Sequence, residues 1–172
     1  GYDIMLHATD DPSRLKLDYD SEGCVVISNE DLLEVSKSIR LGVTPIIVYD
    51  EMKPEYLQIT ENTGVKSAFE KWMKAWEGKD IDNYIDAYAA SFSYNGMNVK
   101  RYREYKDQLN KKYETITVNP QNIRYFQHPK YNVVMFTQNY ESTLKGGQNG
   151  FKSSGSKLLY FVKDGDRYKI AA

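Results

Sequence analysis

Two side chains in this 172-residue chain are suited to covalent chemistry, a histidine at position 7 and a cysteine at position 24. An ordinary thiol, with a pKa of about 8.5, is mostly protonated at neutral pH, and an adjacent imidazole can draw off that proton to give a thiolate nucleophile. Gly23, immediately before Cys24, lets the backbone turn tightly and turns N–H groups toward a developing oxyanion. A histidine base also needs an acceptor for its other ring nitrogen, and the Ala8 carbonyl is well placed to be one. The bland alternative is a buried thiol and an unrelated imidazole. Cys24 is the sole cysteine, so it cannot form an intramolecular disulfide. His7, Cys24 and His128 fit no usual metal-ligand spacing, so no metal is expected, and His128 before Pro129 reads as a surface residue.

The elements that must position this pair are short. Residues 4–6 read as a buried strand leading into His7, residues 10–22 as a polar loop with Asp18 and Asp20, and Cys24–Ile27 as an apolar run. Ser28 or Asn29 can cap a helix with Leu32, Leu33, Val35 and Ile39 on one stripe, ending near Arg40–Gly42. Ile46–Tyr49 has the β-branched content of a strand, and residues 50–62 read as a linker. The pattern then becomes helical. Val65, Phe69, Trp72, Met73 and Trp76 recur at helical spacing over 64–77, closed by Gly78. Asp80 caps a second helix carrying Ile81, Tyr84, Ile85 and Tyr88. Ser91–Tyr94 forms a short strand ending at Asn95-Gly96, and residues 98–113 form a charged helix with Tyr102, Tyr105 and Leu109 inward. Four strands near 114–126, 131–144, 150–163 and 167–172 follow, separated by turn residues. Helices followed by an antiparallel meander define an α+β plan.

Ser21-Glu22-Gly23-Cys24-Val25, with Asn29 downstream and His7 upstream, resembles the active-site signature of L,D-transpeptidase catalytic domains. The resemblance implies Cys24 as nucleophile, His7 as base and the Ala8 carbonyl as the orienting third member. It implies Ser21, Glu22 and Gly23 as the loop shaping the oxyanion and substrate site, with Asn29 bracing the motif. Glu22 stands where that family has His, and Val26 where it has Arg, departures that look like the subgroup acting as L,D-carboxypeptidases on tetrapeptide stems. Residues 63–172 resemble the nuclear-transport-factor-2-like fold: Phe69–Trp76, the Gly78-Lys79-Asp80 turn, Tyr84 to Tyr88, Phe92, and the strands holding Gln138–Ser142, Lys157–Val162 and Arg167–Ile170.

The fold expected is therefore α+β. A partial β-rich L,D-transpeptidase catalytic domain over 1–58 precedes a nuclear-transport-factor-2-like cone over 63–172, three helices packed on a curved antiparallel sheet. Two further readings concern the cone. In one, Tyr84, Tyr88, Tyr94 and Tyr140 line a pocket that binds a wall glycan or peptide. In the other, Asp82 or Asp86 is a buried base beside a Tyr, as in isomerase-like relatives, a reading that exposed carboxylates at both positions would end. The expected function is peptidoglycan stem trimming in the periplasm or at the cell wall, with an influence on cell shape, or cross-linking by L,D-transpeptidation. No cofactor is implied. The expected partners are stem peptides and the remainder of the catalytic domain, from the same or another chain, and a homodimer is compatible with the plan. The net charge of −1, with scattered Lys and Arg, argues against nucleic acid.

Overall fold

In the computed structural model, residues 5–17, 21–41, 43–57 and 62–172 are described. Ile4, Asp18, Asp20 and Gly42, which the sequence reading used, lie outside them. The chain divides into two compact units, Gly1–Ile46 and Ile47–Ala172.

In the first unit, β1 (Leu6–Ala8) pairs in parallel with β2 (Val25–Ile27), and α1 (Asn29–Ser36) follows. A short 3₁₀ turn at Pro12–Lys16 sits in the loop between the strands, started by Asp11, whose carboxylate accepts from Ser13 N at 2.9 Å. Ser28 caps α1 by accepting from Asp31 N at 3.0 Å, with Glu30 and Asp31 at the positive end of the helix. The helix stops at Ser36, short of the expected Arg40, and none of its residues is buried. The expected strand at Ile46–Tyr49 is not formed. Ile46 and Val48 are exposed and, among the described residues, no strand pairs with that segment, and β-branched residues make a strand only where a neighbour completes the ladder.

The second unit is built on α2 (Thr63–Glu77), α3 (Ile81–Asp86), the hairpin β3 (Ser93–Tyr94) and β4 (Met97–Asn98), and α4 (Val99–Lys112). These lie with a four-stranded antiparallel sheet in the order β5 (Tyr113–His128), β6 (Tyr131–Leu144), β7 (Asn149–Asp164), β8 (Arg167–Ile170). Turn chemistry sets the reversals. Asn95 and Gly96 both take positive φ, as a two-residue hairpin turn requires. A register shift between Gln121 and Arg124, with Asn122 at φ +53°, bends the long edge strand β5.

Alternation on β6 sends Val134, Phe136, Gln138, Tyr140 and Ser142 to the helix side, where all are buried. The stripe of α2 lies against them, with Phe69 meeting Phe136 edge-on at 5.0 Å. Gly150 is fixed by contact, since a Cβ there would stand 2.5 Å from the Ser142 carbonyl oxygen.

Gly78 closes α2 as expected, in an ordinary right-handed conformation, and the next residue, Lys79, turns left-handed at φ +54°. Its ammonium donates to the carbonyls of Tyr113 and Glu114 at 3.2 and 2.8 Å, contacts that hold the turn against β5. On α4, Tyr102 is inward as expected and Leu109 packs partly, but Tyr105 is exposed and Lys106 is buried in its stead. Tyr102 and Lys106 are four residues apart and so lie on one face.

Asn62 starts α2 by accepting from Gly64 N and Val65 N at 3.1 and 3.2 Å, and its Nδ2 donates to Tyr168 OH at 2.9 Å. Asn62→Ala is expected to destabilise this unit by about 1–2 kcal/mol. Urea unfolding followed by tryptophan fluorescence checks this, because both tryptophans, Trp72 and Trp76, belong to the unit. An unchanged midpoint would show that water replaces the cap at no cost.

Candidate active site

The short parallel ladder sets the segment that carries His7 beside the one that follows Cys24. Leu6 pairs with Val25, His7 with Val26 and Ala8 with Ile27, and Val25 N donates to Met5 O at 2.9 Å. Continued one step, the register sets Cys24 beside Met5. Side chains two apart on a strand share a face, so Met5, His7, Cys24 and Val26 project to the same side. By that register the position of Cys24 is diagonal to that of His7 across the pair, and both residues are half-buried.

His7 Nδ1 lies 2.8 Å from the Ala8 carbonyl oxygen. A carbonyl can only accept, so Nδ1 carries a hydrogen, and in the neutral ring Nε2 then holds the lone pair a base requires. Gly23 adopts φ +116°, open to glycine and strained for any side chain. Ser21 Oγ donates to Cys24 O at 2.7 Å and accepts from Gly23 N at 3.3 Å, which ties the loop to the strand. The Gly23 N–H therefore points to Ser21 and does not face an oxyanion. Glu22 and Gly23 are exposed. Asn29 is also exposed, at the first position of α1, and the bracing expected of it falls to the Ser28 cap.

The second unit differs from a Tyr-lined cavity. Tyr84 and Tyr88 are core residues, Tyr140 is buried and Tyr94 is exposed. Trp72 Nε1 donates to Tyr88 OH at 2.9 Å, Tyr88 OH donates to Tyr84 OH at 2.8 Å, and Tyr84 OH lies 3.2 Å from Tyr102 OH. These hydroxyls satisfy one another, and that lets them be buried without water. Burial pushes the Tyr84, Tyr88 and Tyr102 phenols up from their ordinary range. A concavity of about 1140 Å³ does exist among α2, α3 and β8, lined by Ser67, Lys71, Asn83, Asp86, Arg167 and Lys169 among others, but none of the four tyrosines reaches it.

Nor is there a buried base. The Asp82 side chain is 81% exposed and pairs with Arg103, and that of Asp86 is 51% exposed and pairs with Arg167 at 2.6 Å and Lys169 at 3.3 Å. The hydrogen bond from Arg167, with help from Lys169, holds the Asp86 carboxyl below its ordinary value. These exposures end the isomerase-like reading. His128 stacks between Tyr49 and Tyr131 at 5.3 and 4.4 Å, and its Nδ1 accepts from Lys130 N at 3.2 Å.

Sequence reasoning missed Lys106. It is 8% exposed, and its ammonium lies 4.5 Å from the ring centroid of Trp76, 5.0 Å from Tyr84 and 5.8 Å from Tyr102. Desolvation lowers its pKa to about 8. The signal is the four-residue step from Tyr102, which places Lys106 on the same helical face.

Comparison with known proteins places both parts of the chain. Residues 64–172, more than half of it, match the Cds6 C-terminal NTF2-like domain, and the chain belongs to that family. Residues 1–48 match the YkuD model, the L,D-transpeptidase catalytic domain. Bd1075 of Bdellovibrio bacteriovorus is 30% identical over 97% of this chain and 59% of its own, with a TM-score of 0.67. The helical cell shape determining protein Pgp2 of Campylobacter jejuni, in a mutant form, is 18% identical over 97% of this chain and 58% of its own, with a TM-score of 0.62. A variant of Rv3472 from Mycobacterium tuberculosis, 12% identical over 63% of this chain and 70% of its own, shares the second unit's fold at a TM-score of 0.53. The chain thus spans about three-fifths of the length of Bd1075 and Pgp2. A search of curated proteins gave no match. No described helix is long and apolar enough to cross a membrane.

Proposed function

We propose that the protein is an L,D-carboxypeptidase that trims peptidoglycan tetrapeptide stems to tripeptides outside the cytoplasmic membrane and thereby influences cell shape. The observation that supports this reading is the pairing of His7 with Val26, two residues after Cys24, on the β1–β2 ladder, with His7 Nδ1 at 2.8 Å from the Ala8 carbonyl oxygen. Nε2 accepts the thiol proton. The thiolate attacks the carbonyl carbon of the diamino acid, and the tetrahedral intermediate collapses to an acyl-cysteine as the peptide C–N bond breaks. The leaving D-alanine amine takes the proton back from His7. Water, deprotonated by His7, adds to the thioester, and collapse releases the tripeptide and the thiol. These steps need no cofactor.

The match to the catalytic-domain model over residues 1–48 supports this reading. So do the exposed apolar side chains of the first unit, Met5, Leu33, Leu41 and Val43 among them. They suit a segment that would be the remainder of the catalytic domain, with residues 1–58 as its C-terminal part. Val26, where the resembling family carries Arg, removes a guanidinium that would anchor a substrate carboxylate or the loop holding it, which argues against ordinary cross-linking.

Incubation of the full-length enzyme with purified disaccharide tetrapeptide, followed by mass spectrometry, tests the proposal. Tripeptide with released D-alanine is the expected outcome. Cross-linked dimers would replace it with L,D-transpeptidation, and an unaltered substrate would leave a wall-binding module.

A further inference from the structure

We propose that the open edge of β7 pairs with the same edge of a second copy of this chain, antiparallel about a two-fold axis at Ser153, with Phe151 of each copy seated over Gly155 of the other. The inference does not rest on the cysteine chemistry, which belongs to the other unit.

The first argument is the ladder. In the sheet β7 lies between β6 and β8, and β6 accompanies it from Phe161 back to Asn149. On the other side β8 and the residues after it reach only to Tyr160, which exchanges main-chain hydrogen bonds with Ala171 and Ala172 at 2.7 and 2.8 Å. Among the described residues no strand flanks the rest of that edge. Tyr160 turns its N–H and C=O away from β6, and alternation along the strand turns those of Ser154 and Lys152 the same way. Phe151 has the opposite parity. Its N–H donates to Ser142 Oγ on β6 at 3.0 Å, and its carbonyl accepts from that hydroxyl at 3.2 Å. A row of outward donors and acceptors is a template for a further strand.

The second argument is the contrast between the two outer edges of the sheet. On β5 the edge is closed by side chains. Val118 N donates to Glu77 Oε1 at 2.9 Å, and Lys79 Nζ donates to the carbonyls of Tyr113 and Glu114. Pro120 lacks an N–H, and the register shift between Gln121 and Arg124 bends the strand. Such devices keep an edge from pairing with another chain. From Lys152 to Gly155, β7 has no proline and no register shift.

The third argument is fit. Backbone conformation does not require a glycine at 155, since Gly155 does not take positive φ. Crowding does not require it either, since a Cβ there would meet nothing within 4 Å. A glycine inside a strand weakens it, and one that its own fold does not need marks a place where another backbone comes close. Phe151, four residues earlier and so on the same face, is 57% exposed. With Ser153 on the axis, each Phe151 lies directly opposite the other copy's Gly155 and fills the space above it. The same register sets Lys152 opposite Ser154, so outward main-chain groups meet and no lysine faces a lysine. A strand edge paired with itself about a two-fold axis is a closed contact, which yields a dimer and not a fibre. The contact is small, and a Kd on the order of 100 µM is expected.

The test is sedimentation velocity of the full-length protein from about 10 µM to about 1 mM. The expected result is a concentration-dependent dimer. Phe151→Gly or Gly155→Phe alone is expected to raise Kd at least about fivefold. The double variant exchanges knob and hole, and its Kd is expected to return to within about twofold of the parent. Circular dichroism of every variant should match the parent, because Phe151 is exposed and Gly155 faces open space. Amide exchange gives a second readout. The Lys152 and Ser154 N–H groups should gain protection as concentration rises in the parent, and not in the single variants. A monomer up to about 1 mM would overturn the proposal and leave the edge to a different chain. Association that both single variants leave unchanged would assign it to another face and overturn the proposal as well. So would a double variant that associates no better than the single ones.

Discussion

On the proposed mechanism, Cys24→Ala is expected to abolish release of D-alanine from a tetrapeptide stem, with kcat falling on the order of 10⁴-fold or more, because no acyl-enzyme can form without the sulfur. The side chain is small and only half-buried, so the far- and near-ultraviolet circular dichroism of the variant should match the parent. His7→Ala is expected to lose activity on the same scale, because the thiol then lacks both its base and the acid that protonates the leaving amine. The double variant should be no worse than either single one, since the two groups act as a unit. The measurement is turnover of purified tetrapeptide by the full-length enzyme. A His7→Ala enzyme within tenfold of the parent would remove the imidazole from the mechanism (about 1.4 kcal/mol at most).

Lys106→Met stabilises the second unit at neutral pH, an unusual direction for a buried substitution. The native lysine has a pKa of about 8, whereas an unfolded lysine titrates near 10.4. Between those values the unfolded chain binds more protons than the folded one, so stability rises with pH across that window. Below about pH 8 the charged lysine imposes its full penalty on the fold, roughly 3 kcal/mol at most. Methionine fills similar volume without the charge, so a gain of about 1–3 kcal/mol is expected at pH 7.

The parent's rise in stability between pH 8 and 10 should vanish in the variant. The groups facing Lys106 are Trp76 on α2, Tyr84 on α3 and Tyr102 on its own helix. The two phenols are raised, so they stay neutral in this window and lower stability only above about pH 10, in both proteins alike. Urea midpoints by tryptophan fluorescence at pH 7 and 9.5 decide the matter. A variant less stable than the parent at pH 7 would mean that cation–π contacts outweigh desolvation.

Much of the architecture was legible because its signals are local. The stripe from Val65 to Trp76 repeats at helical period, and α2 forms there. Asn95-Gly96 and Asp164-Gly165 carry the residues that tolerate positive φ at tight reversals, and the chain turns at both. His7 and the Ser21–Cys24 segment stood out because their residue types are chemically specific. What failed depended on neighbours. Ile46–Tyr49 has strand composition but no pairing partner, and α1 ended early with no buried face to extend it. Tyr84, Tyr88, Tyr94 and Tyr140 were read as pocket walls because a phenol suits a wet surface. No sequence pattern shows that Tyr84 and Tyr88 would satisfy their hydroxyls with each other, Trp72 and Tyr102.

The sequence by itself determined the order of elements, the turns and the candidates for nucleophile and base, because periodicity, glycine placement and side-chain chemistry are properties of short segments. Only the tertiary structure decided that His7 pairs with Val26, two residues after Cys24, that Tyr84, Tyr88 and Tyr102 join their hydroxyls, and that Lys106 lies among rings. These facts depend on strand register and helix rotation, which distant residues set through packing.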